Sequence, residues 1–292
     1  MKQVTIIGLG LIGTSMGLAL RQTKSPPVVV GHDCQYDAAM RAQKLKAVDR
    51  LERDPAVAVS GSDLVIVSTP VGTIPRVLET VAGSLPSGCI VTDTGSTKEM
   101  LLRRASEILP PSVSFVGGHP MTGLATAGVD GPDAGLFKGT VYCVTPAPTA
   151  PPSAVSAVVA MIQAIGAEPY FVDPAEHDGL VAGISHLPYL LSTTLMRILA
   201  SEPGWREMSV LAAGGFDTAT RLARQDPTMY GDILLSNTAN LLRHLDRLME
   251  ELRAVRELLA SGAPELQGWL EEARRRRVEW EEQRRRDESS RA

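Results

Sequence analysis

The chain has 292 residues, 44% hydrophobic and 4% aromatic, with a formal net charge of −4. That length supports a sizeable core and two domains, and the mild acidity gives no electrostatic reason to expect nucleic acid or an anionic membrane as partner. No apolar run approaches the ~20 residues that span a bilayer, and the isolated Cys34, Cys89 and Cys143 read as reduced, buried thiols of a cytoplasmic protein, not as a disulfide framework or metal site.

Residues 4–7 are a short apolar run that breaks into Gly8, Gly10 and Gly13, then becomes a helical pattern with Ile12, Met16, Ala19 and Leu20 on one face. This predicts a strand, a tight turn and a helix. The glycines fall where a turn, a close phosphate and a helix–strand contact would each exclude a Cβ. Main-chain N–H groups of the turn and of Leu11 and Ile12 would face an anion, helped by the helix dipole. A second strand over 28–32 leads to Asp33, 20 residues past Gly13. A carboxylate there accepts hydrogen bonds from ribose hydroxyls and repels a 2′-phosphate, so the expected cofactor is NAD. The competing reading is a doubly wound domain that holds no nucleotide.

Further along, the patterns predict a helix over 36–45, a strand over 63–69 stopped by Pro70, a helix over 73–85 and a strand over 89–93. A helix over 98–109 follows, then a strand over 114–116 leading into Gly117-Gly118-His119-Pro120. A strand over 141–144, a helix over 154–165 and a last strand over 170–172 complete the alternation, with 145–152 read as a loop. The fold class expected is α/β: a Rossmann-type, doubly wound, mainly parallel sheet covered on both faces. Ligands in such sheets bind beyond the carboxyl ends of the strands. That brings the glycine turn, Thr69-Pro70, residues 93–98 and His119 to one edge.

From residue 175 onward only helices are expected, over 176–199, 208–213 and 230–259. In the last, Ile233, Leu234, Leu241, Leu245, Leu248, Leu252, Val255 and Leu259 make an apolar stripe wide enough to pack on a partner. The expected division is a nucleotide domain over 1–174, an all-helical dimerisation and substrate domain over 175–270, and a charged helical or frayed tail over 271–292. Arginines 274–277 and 284–286 in that tail are matched by glutamates and aspartates, which suits a solvated, ion-paired helix.

Among residues able to do chemistry, His119 is flanked by glycines that let the backbone approach a ligand, with Pro120 stiffening the exit from what reads as a loop. His186 lies in a helical region and reads equally as a satisfied core histidine or a site residue. His177 and Asp178 read as a capping pair at the start of the helices, and His32 and His244 carry no signal. Ser96 and Lys98 offer a hydroxyl and a cation at the ligand edge, Ser96 doubling as a helix N-cap. Arg221 is a fork suited to a carboxylate, or an ordinary surface arginine. Histidines and cysteines lack metal-ligand spacing, and no serine occupies a G-x-S-x-G elbow.

In series, Gly-Leu-Gly-Leu-Ile-Gly at 8–13, Asp93-x-Gly-Ser-x-Lys98, Gly117-Gly-His-Pro-Met121, His177-Asp178, Ser185-His-Leu-Pro188 and Gly-Gly-Phe-x-x-x-Thr-Arg221 with Asp226-Pro227 resemble the prephenate/arogenate dehydrogenase family of tyrosine biosynthesis. The resemblance implies an NAD-binding domain followed by a helical dimerisation domain, a homodimer, and an active site between the domains. It implies oxidative decarboxylation of prephenate to 4-hydroxyphenylpyruvate, with arogenate or a related ring acid as the alternative. His119 would be the base for the ring hydroxyl, Ser96 would orient that hydroxyl, and Arg221 would hold a carboxylate. His186, Lys98, Tyr189, Thr122 and Gly123 would surround the substrate, and Gly8, Gly10, Leu11, Ile12, Gly13, Asp33, Thr69 and Pro70 would hold the cofactor. The sequence departs from the family pattern at Asp217-Thr218, at Tyr189 and Tyr230, and at Leu124-Ala125. A β-hydroxyacid dehydrogenase would need a lysine in the helical part, and Lys138 is the last in the chain. A non-catalytic NAD-binding protein is the remaining alternative.

Overall fold

The computed structural model describes residues 1–122, 131–262 and 264–291. Eight strands form the sheet: β1 (Gln3–Ile7), β2 (Val28–His32), β3 (Arg50–Leu51), β4 (Leu64–Val67), β5 (Ile90–Asp93), β6 (Ser114–Pro120), β7 (Val141–Pro146) and β8 (Glu168–Phe171). Their order is β3-β2-β1-β4-β5-β6-β7-β8. All pairings are parallel except β6 with β7, so the sheet is mainly parallel as expected.

Helices cover both faces: α1 (Leu11–Arg21), α2 (Tyr36–Lys44), α3 (Pro55–Val59), α4 (Ile74–Val81), α5 (Glu99–Ile108) and α6 (Pro152–Ala164). The two-residue period of a strand divides β4 between two cores. Leu64 and Ile66 pack with Met16 and Leu20 of α1 and Val158 and Ile162 of α6. Val65 and Val67 pack with Ile74 and Leu78 of α4 and Leu101 of α5. Burial on both faces explains the unbroken apolar run. The sequence patterns missed β3 and α3, which are too short to show a period. The available signal for α3 was Asp54-Pro55: the Asp54 carboxylate accepts from the Ala56 amide at 2.9 Å, with proline in the first turn. The chain runs from β1 outward to β3, then returns to β4 on the other side of β1. That reversal leaves a crevice beyond the carboxyl ends of β1 and β4.

The remaining elements are helical: α7 (Pro174–Val181), α8 (Leu187–Ala200), α9 (Trp205–Leu211), α10 (Gly214–Thr220), α11 (Pro227–Ser236), α12 (Thr238–Ser261) and α13 (Glu265–Arg291). Two helices expected to be continuous are broken. The first is interrupted by a π-helical turn over Ala182–His186, because Pro188 has no N–H for the carbonyl four residues back and its ring would collide with it. The second is interrupted at Asn237, whose side chain bonds the Asp178 carbonyl at 2.7 Å and His186 Nδ1 at 3.2 Å. Residues 214–220, outside the expected helices, form α10 and lead into a 3₁₀ turn over Arg221–Arg224.

The backbone divides into two compact units, Met1–Thr238 and Ala239–Ala292. The helices from Pro174 to Ser236 thus belong with the sheet: Thr97 and Ser236 hydroxyls meet at 2.9 Å, and Ile233 is buried in the α4–α5 core. In the second unit, the apolar stripe of α12 is largely open, with Leu242, Met249, Leu252 and Leu259 exposed. Trp269 of α13 donates to Glu251 of α12 at 2.5 Å. The charged run continues α13, with Arg276–Glu272 and Arg277–Glu281 pairs at 3.3 and 2.8 Å. Among the described residues, no helix is long and apolar enough to cross a membrane. Cys89 and Cys143 are buried, and burial pushes the Cys89 thiol up to about 12. Cys34 departs from the expectation: just past the end of β2 the chain turns out of the sheet, and its thiol is exposed.

Candidate active site

The glycine turn is shaped by close backbone contacts. Gly8 has φ +95°, and a Cβ on it would lie 2.4 Å from the Ser68 carbonyl oxygen. A Cβ on Gly13 would lie 1.9 Å from the Gly8 carbonyl oxygen. Gly10 differs: a Cβ there would meet nothing within 4 Å, and this residue caps α1 with no side-chain hydrogen bond. The turn therefore leaves open space before an uncapped helix N-terminus whose first amides, at Leu11 and Ile12, have no intrahelical partner, which is the geometry that receives a phosphate. Asp33 stands at the adjacent strand end. Its carboxylate accepts from the Leu9 and Gln35 amides, each at 2.7 Å. Thr69, half-buried, receives the Thr73 hydroxyl at 3.0 Å, and Pro70 is exposed on the same rim.

Gly13→Ala should lower both the melting temperature and nucleotide affinity, since a backbone collision cannot relax without shifting α1 from β1. Gly10→Ala should leave the melting temperature unchanged and weaken only the nucleotide, by tenfold or more, about 1.4 kcal/mol. Thermal melts and NAD titrations of both variants check the contrast. Equal behaviour of the two would refute it.

At the ends of β5 and β6 the groups are charged. Lys98 is fully buried, its ammonium paired with Asp93 and donating to the Gly118 carbonyl at 2.7 Å. The same carboxylate accepts the Gly95 amide at 2.7 Å and the Gly118 amide at 3.1 Å. Lys98 is thus corrected from a substrate-facing cation to a buried clamp: β5 and β6 enclose it, and all its charge is turned inward. Burial pushes its pKa down, against the pull of Asp93.

His119 follows the clamped Gly118. It lies on β6 opposite Cys143 rather than in a loop, because the antiparallel partner β7 extends the strand through Pro120. The ring is half-buried. Its Nδ1 is 2.9 Å from Nε2 of His177, whose Nδ1 is 2.8 Å from the Asp178 carboxylate. Burial, with His177, Lys98 and His186 nearby, holds the His119 pKa well below 6.5, so the imidazole rests neutral and able to accept a proton.

His177 and Asp178 are the residues whose role the sequence reading missed. Both are buried, and the capping they provide is not of their own helix: the Asp178 carboxylate accepts the Lys98 and Glu99 amides at 2.7 and 3.0 Å, capping α5. That also replaces Ser96 as the cap. Ser96 is half-buried in the turn between β5 and α5. The signal available was a histidine followed directly by an acid at a helix start. What it lacked was the identity of the helix being capped.

His186 is swung inward by the π-helical turn and buried. Its Nδ1 accepts from Asn237, and its Nε2 is buried with no hydrogen-bond partner among the described residues. Burial pushes its pKa from the ordinary 6.5 down to about 4. Since the unfolded chain binds this proton more readily, the His186 share of stability is full above about pH 6.5 and is lost as pH falls toward 4. Urea unfolding at pH 7 and pH 5 should differ by about 2 kcal/mol from this group. His186→Gln should flatten that slope.

Tyr189 on α8 stacks on Tyr230 of α11, ring centroids 3.7 Å apart and planes 10° from parallel. Burial with Tyr189 at its side pushes the Tyr230 hydroxyl up, while the neighbouring Arg221 guanidinium pulls it down. Arg221 itself is exposed, at the start of the 3₁₀ turn whose Ala223 amide is held by Ser192 of α8 at 3.1 Å. Thr122, just past β6, donates to the Leu136 carbonyl at 3.2 Å. Gly123, Leu124 and Ala125 lie outside the described residues. Among the described residues, no group of three histidine, cysteine or acidic side chains could hold a metal.

A glycine turn open to a phosphate and a neutral imidazole, both at the carboxyl-end edge of one doubly wound sheet, define the class: a nucleotide-dependent oxidoreductase. Residues 16–171 match the model of the prephenate dehydrogenase nucleotide-binding domain, and 173–272 that of the prephenate dehydrogenase dimerization domain. Prephenate dehydrogenase of Bacillus subtilis is 33% identical over 255 residues, 87% of this chain and 69% of that one. Cyclohexadienyl dehydrogenase of Zymomonas mobilis is 32% identical over 265 residues, 89% of each. The structure of Aquifex aeolicus prephenate dehydrogenase in complex with hydroxyphenyl propionate and NAD⁺ superposes with a TM-score of 0.87 at 28% identity, covering 96% of this chain and 98% of that one. The chain belongs to the prephenate dehydrogenase family.

Proposed function

We propose that this dehydrogenase uses NAD to convert prephenate to 4-hydroxyphenylpyruvate in the cytoplasm, with His119 as the base. The observation that carries the reading is the half-buried, neutral His119 ring at the strand edge that also bears the glycine turn and Asp33. Bound NAD⁺ supplies the hydride acceptor. In the glycine turn, Gly10 and the amides of Leu11 and Ile12 would hold its pyrophosphate, and Asp33 the adenosine ribose. Thr69 and Pro70 would line its path toward His119.

His119 Nε2 would take the proton of the ring hydroxyl as hydride leaves the same carbon, then return it to the phenolic oxygen once the ring carboxylate departs as CO₂. Aromatisation supplies the driving force, so the protein needs positioning and one general base. Ser96 would orient the hydroxyl, Arg221 a substrate carboxylate, and His186, Tyr189, Thr122 and Gly123 the rest of the ring acid. The buried N–H-capable Nε2 of His186, which has no hydrogen-bond partner among the described residues, suits a substrate oxygen. The domain roles follow: 1–174 for nucleotide and 175–270 for substrate and for dimerisation, in which a second copy covers the open α12 stripe.

The similarity to a cyclohexadienyl dehydrogenase and to a probable arogenate/prephenate dehydrogenase favours a second reading, a broader enzyme that also takes arogenate. Absorbance at 340 nm with NAD⁺ and either prephenate or arogenate decides. Turnover of prephenate alone supports the first reading. Turnover of arogenate as well replaces it with the second, and no turnover of either acid leaves a nucleotide-binding protein without this activity.

A further inference from the structure

Two imidazoles and a carboxylate lie in a row, with His119 Nδ1 2.9 Å from His177 Nε2 and His177 Nδ1 2.8 Å from Asp178 Oδ1. Each contact needs one donor and one acceptor. Asp178 is committed as the acceptor: its Oδ1 also takes the Lys98 amide, and its Oδ2 takes the Glu99 amide. The proton between His177 and Asp178 therefore sits on His177 Nδ1, and the neutral ring presents a lone pair at Nε2. The next contact then requires the proton on His119 Nδ1. That leaves His119 Nε2 bare, which is the state a base needs.

We propose that His177 and Asp178 are positioning residues that lock His119 in its Nδ1–H tautomer, with Nε2 as the proton acceptor. The proposal rests on the reading of His119 as the base. The surroundings reinforce it. Asn237 fixes the α7 end of the row through the Asp178 carbonyl and touches His186 from the same amide nitrogen. The charged and titratable groups packed against the rings are Lys98, turned to Asp93, and His186, turned to Asn237. Neither competes for a ring nitrogen of the row. With the opposite tautomer, His119 Nε2 would carry hydrogen and could only donate to the substrate hydroxyl. When His119 gains the substrate proton, its Nδ1–H already points into an acceptor chain ending in a carboxylate, which stabilises the cation where little water reaches.

The test is nitrogen NMR of the full-length protein with ¹⁵N-labelled histidine, the His119 and His177 signals picked out of its five histidines by His119→Asn and His177→Gln. In the wild type, His119 should show a protonated Nδ1 and a bare Nε2. A protonated Nε2 would overturn the proposal, whatever the kinetics of His119→Asn say about the base. Kinetically, His177→Leu should lower kcat about 10²-fold with KM within a few-fold. His177→Gln, whose amide oxygen accepts the same N–H, should recover at least tenfold. In a His119→Asn background, His177→Leu should cost no more than twofold, because it acts through a ring no longer there. Equal losses in both backgrounds would mark His177 as merely structural and defeat the proposal.

Discussion

Asparagine in place of His119 is expected to lower kcat by about 10²–10⁴-fold, the usual contribution of a positioned general base. Asparagine retains a polar side chain of similar reach but cannot accept the hydroxyl proton and carry it. The glycine turn proposed to hold the nucleotide stands on β1, α1 and the end of β2, with β4 and β5 between it and the strand that bears His119. NAD affinity should therefore stay within a few-fold, and the loss should appear in kcat, with KM nearly constant. Initial rates at saturating NAD⁺, paired with an NAD titration, make the measurement. A kcat within a few-fold of wild type would remove His119 as the base.

Lys98→Met should cost about 3–5 kcal/mol of stability, the loss expected when one member of a buried ion pair is removed. Asp93 would keep its bonds from the Gly95 and Gly118 amides, but its carboxylate would stay buried with no opposing charge. The Gly118 carbonyl would also lose its donor, one residue before His119, so activity should fall with stability. Pairing the change with Asp93→Asn removes the stranded charge, and the double variant should recover a large part of the loss. Urea unfolding of the two single variants and the double one closes the cycle. A Lys98→Met loss below 1 kcal/mol would show that the ammonium does not hold the ends of β5 and β6 together.

Local patterns were sufficient for the nucleotide half. The run before Gly8, the three glycines and the acid at Asp33 each report on backbone sterics or charge within about thirty residues, and the structure places them on one strand edge. The same patterns misjudged His119, because whether Gly117–Pro120 continue a strand depends on β7, more than twenty residues later. They misjudged Lys98 for a related reason. Lysine beside a hydroxyl reads as solvent-facing until the Asp93 carboxylate and the Gly118 carbonyl are seen to surround it.

The helical half was legible in kind but not in its breaks. Apolar spacing marked the helices, yet the interruption at Asn237 is held by bonds to Asp178 and His186, residues 59 and 51 positions away. Pro188 was a visible warning near the π-helical turn, though only packing decides that the turn buries His186.

By itself the sequence determined the alternation of strands and helices, the nucleotide-binding fold and the family, because these depend on periodicity and on short-range spacing. Only the tertiary structure decided which polar groups pair with each other and which stay unpaired among the described residues. Asp178 reaches across 80 positions to cap α5 while holding His177 against His119. A hydrogen bond needs its two atoms within about 3 Å, and no local pattern records a distance set by the packing of separate elements.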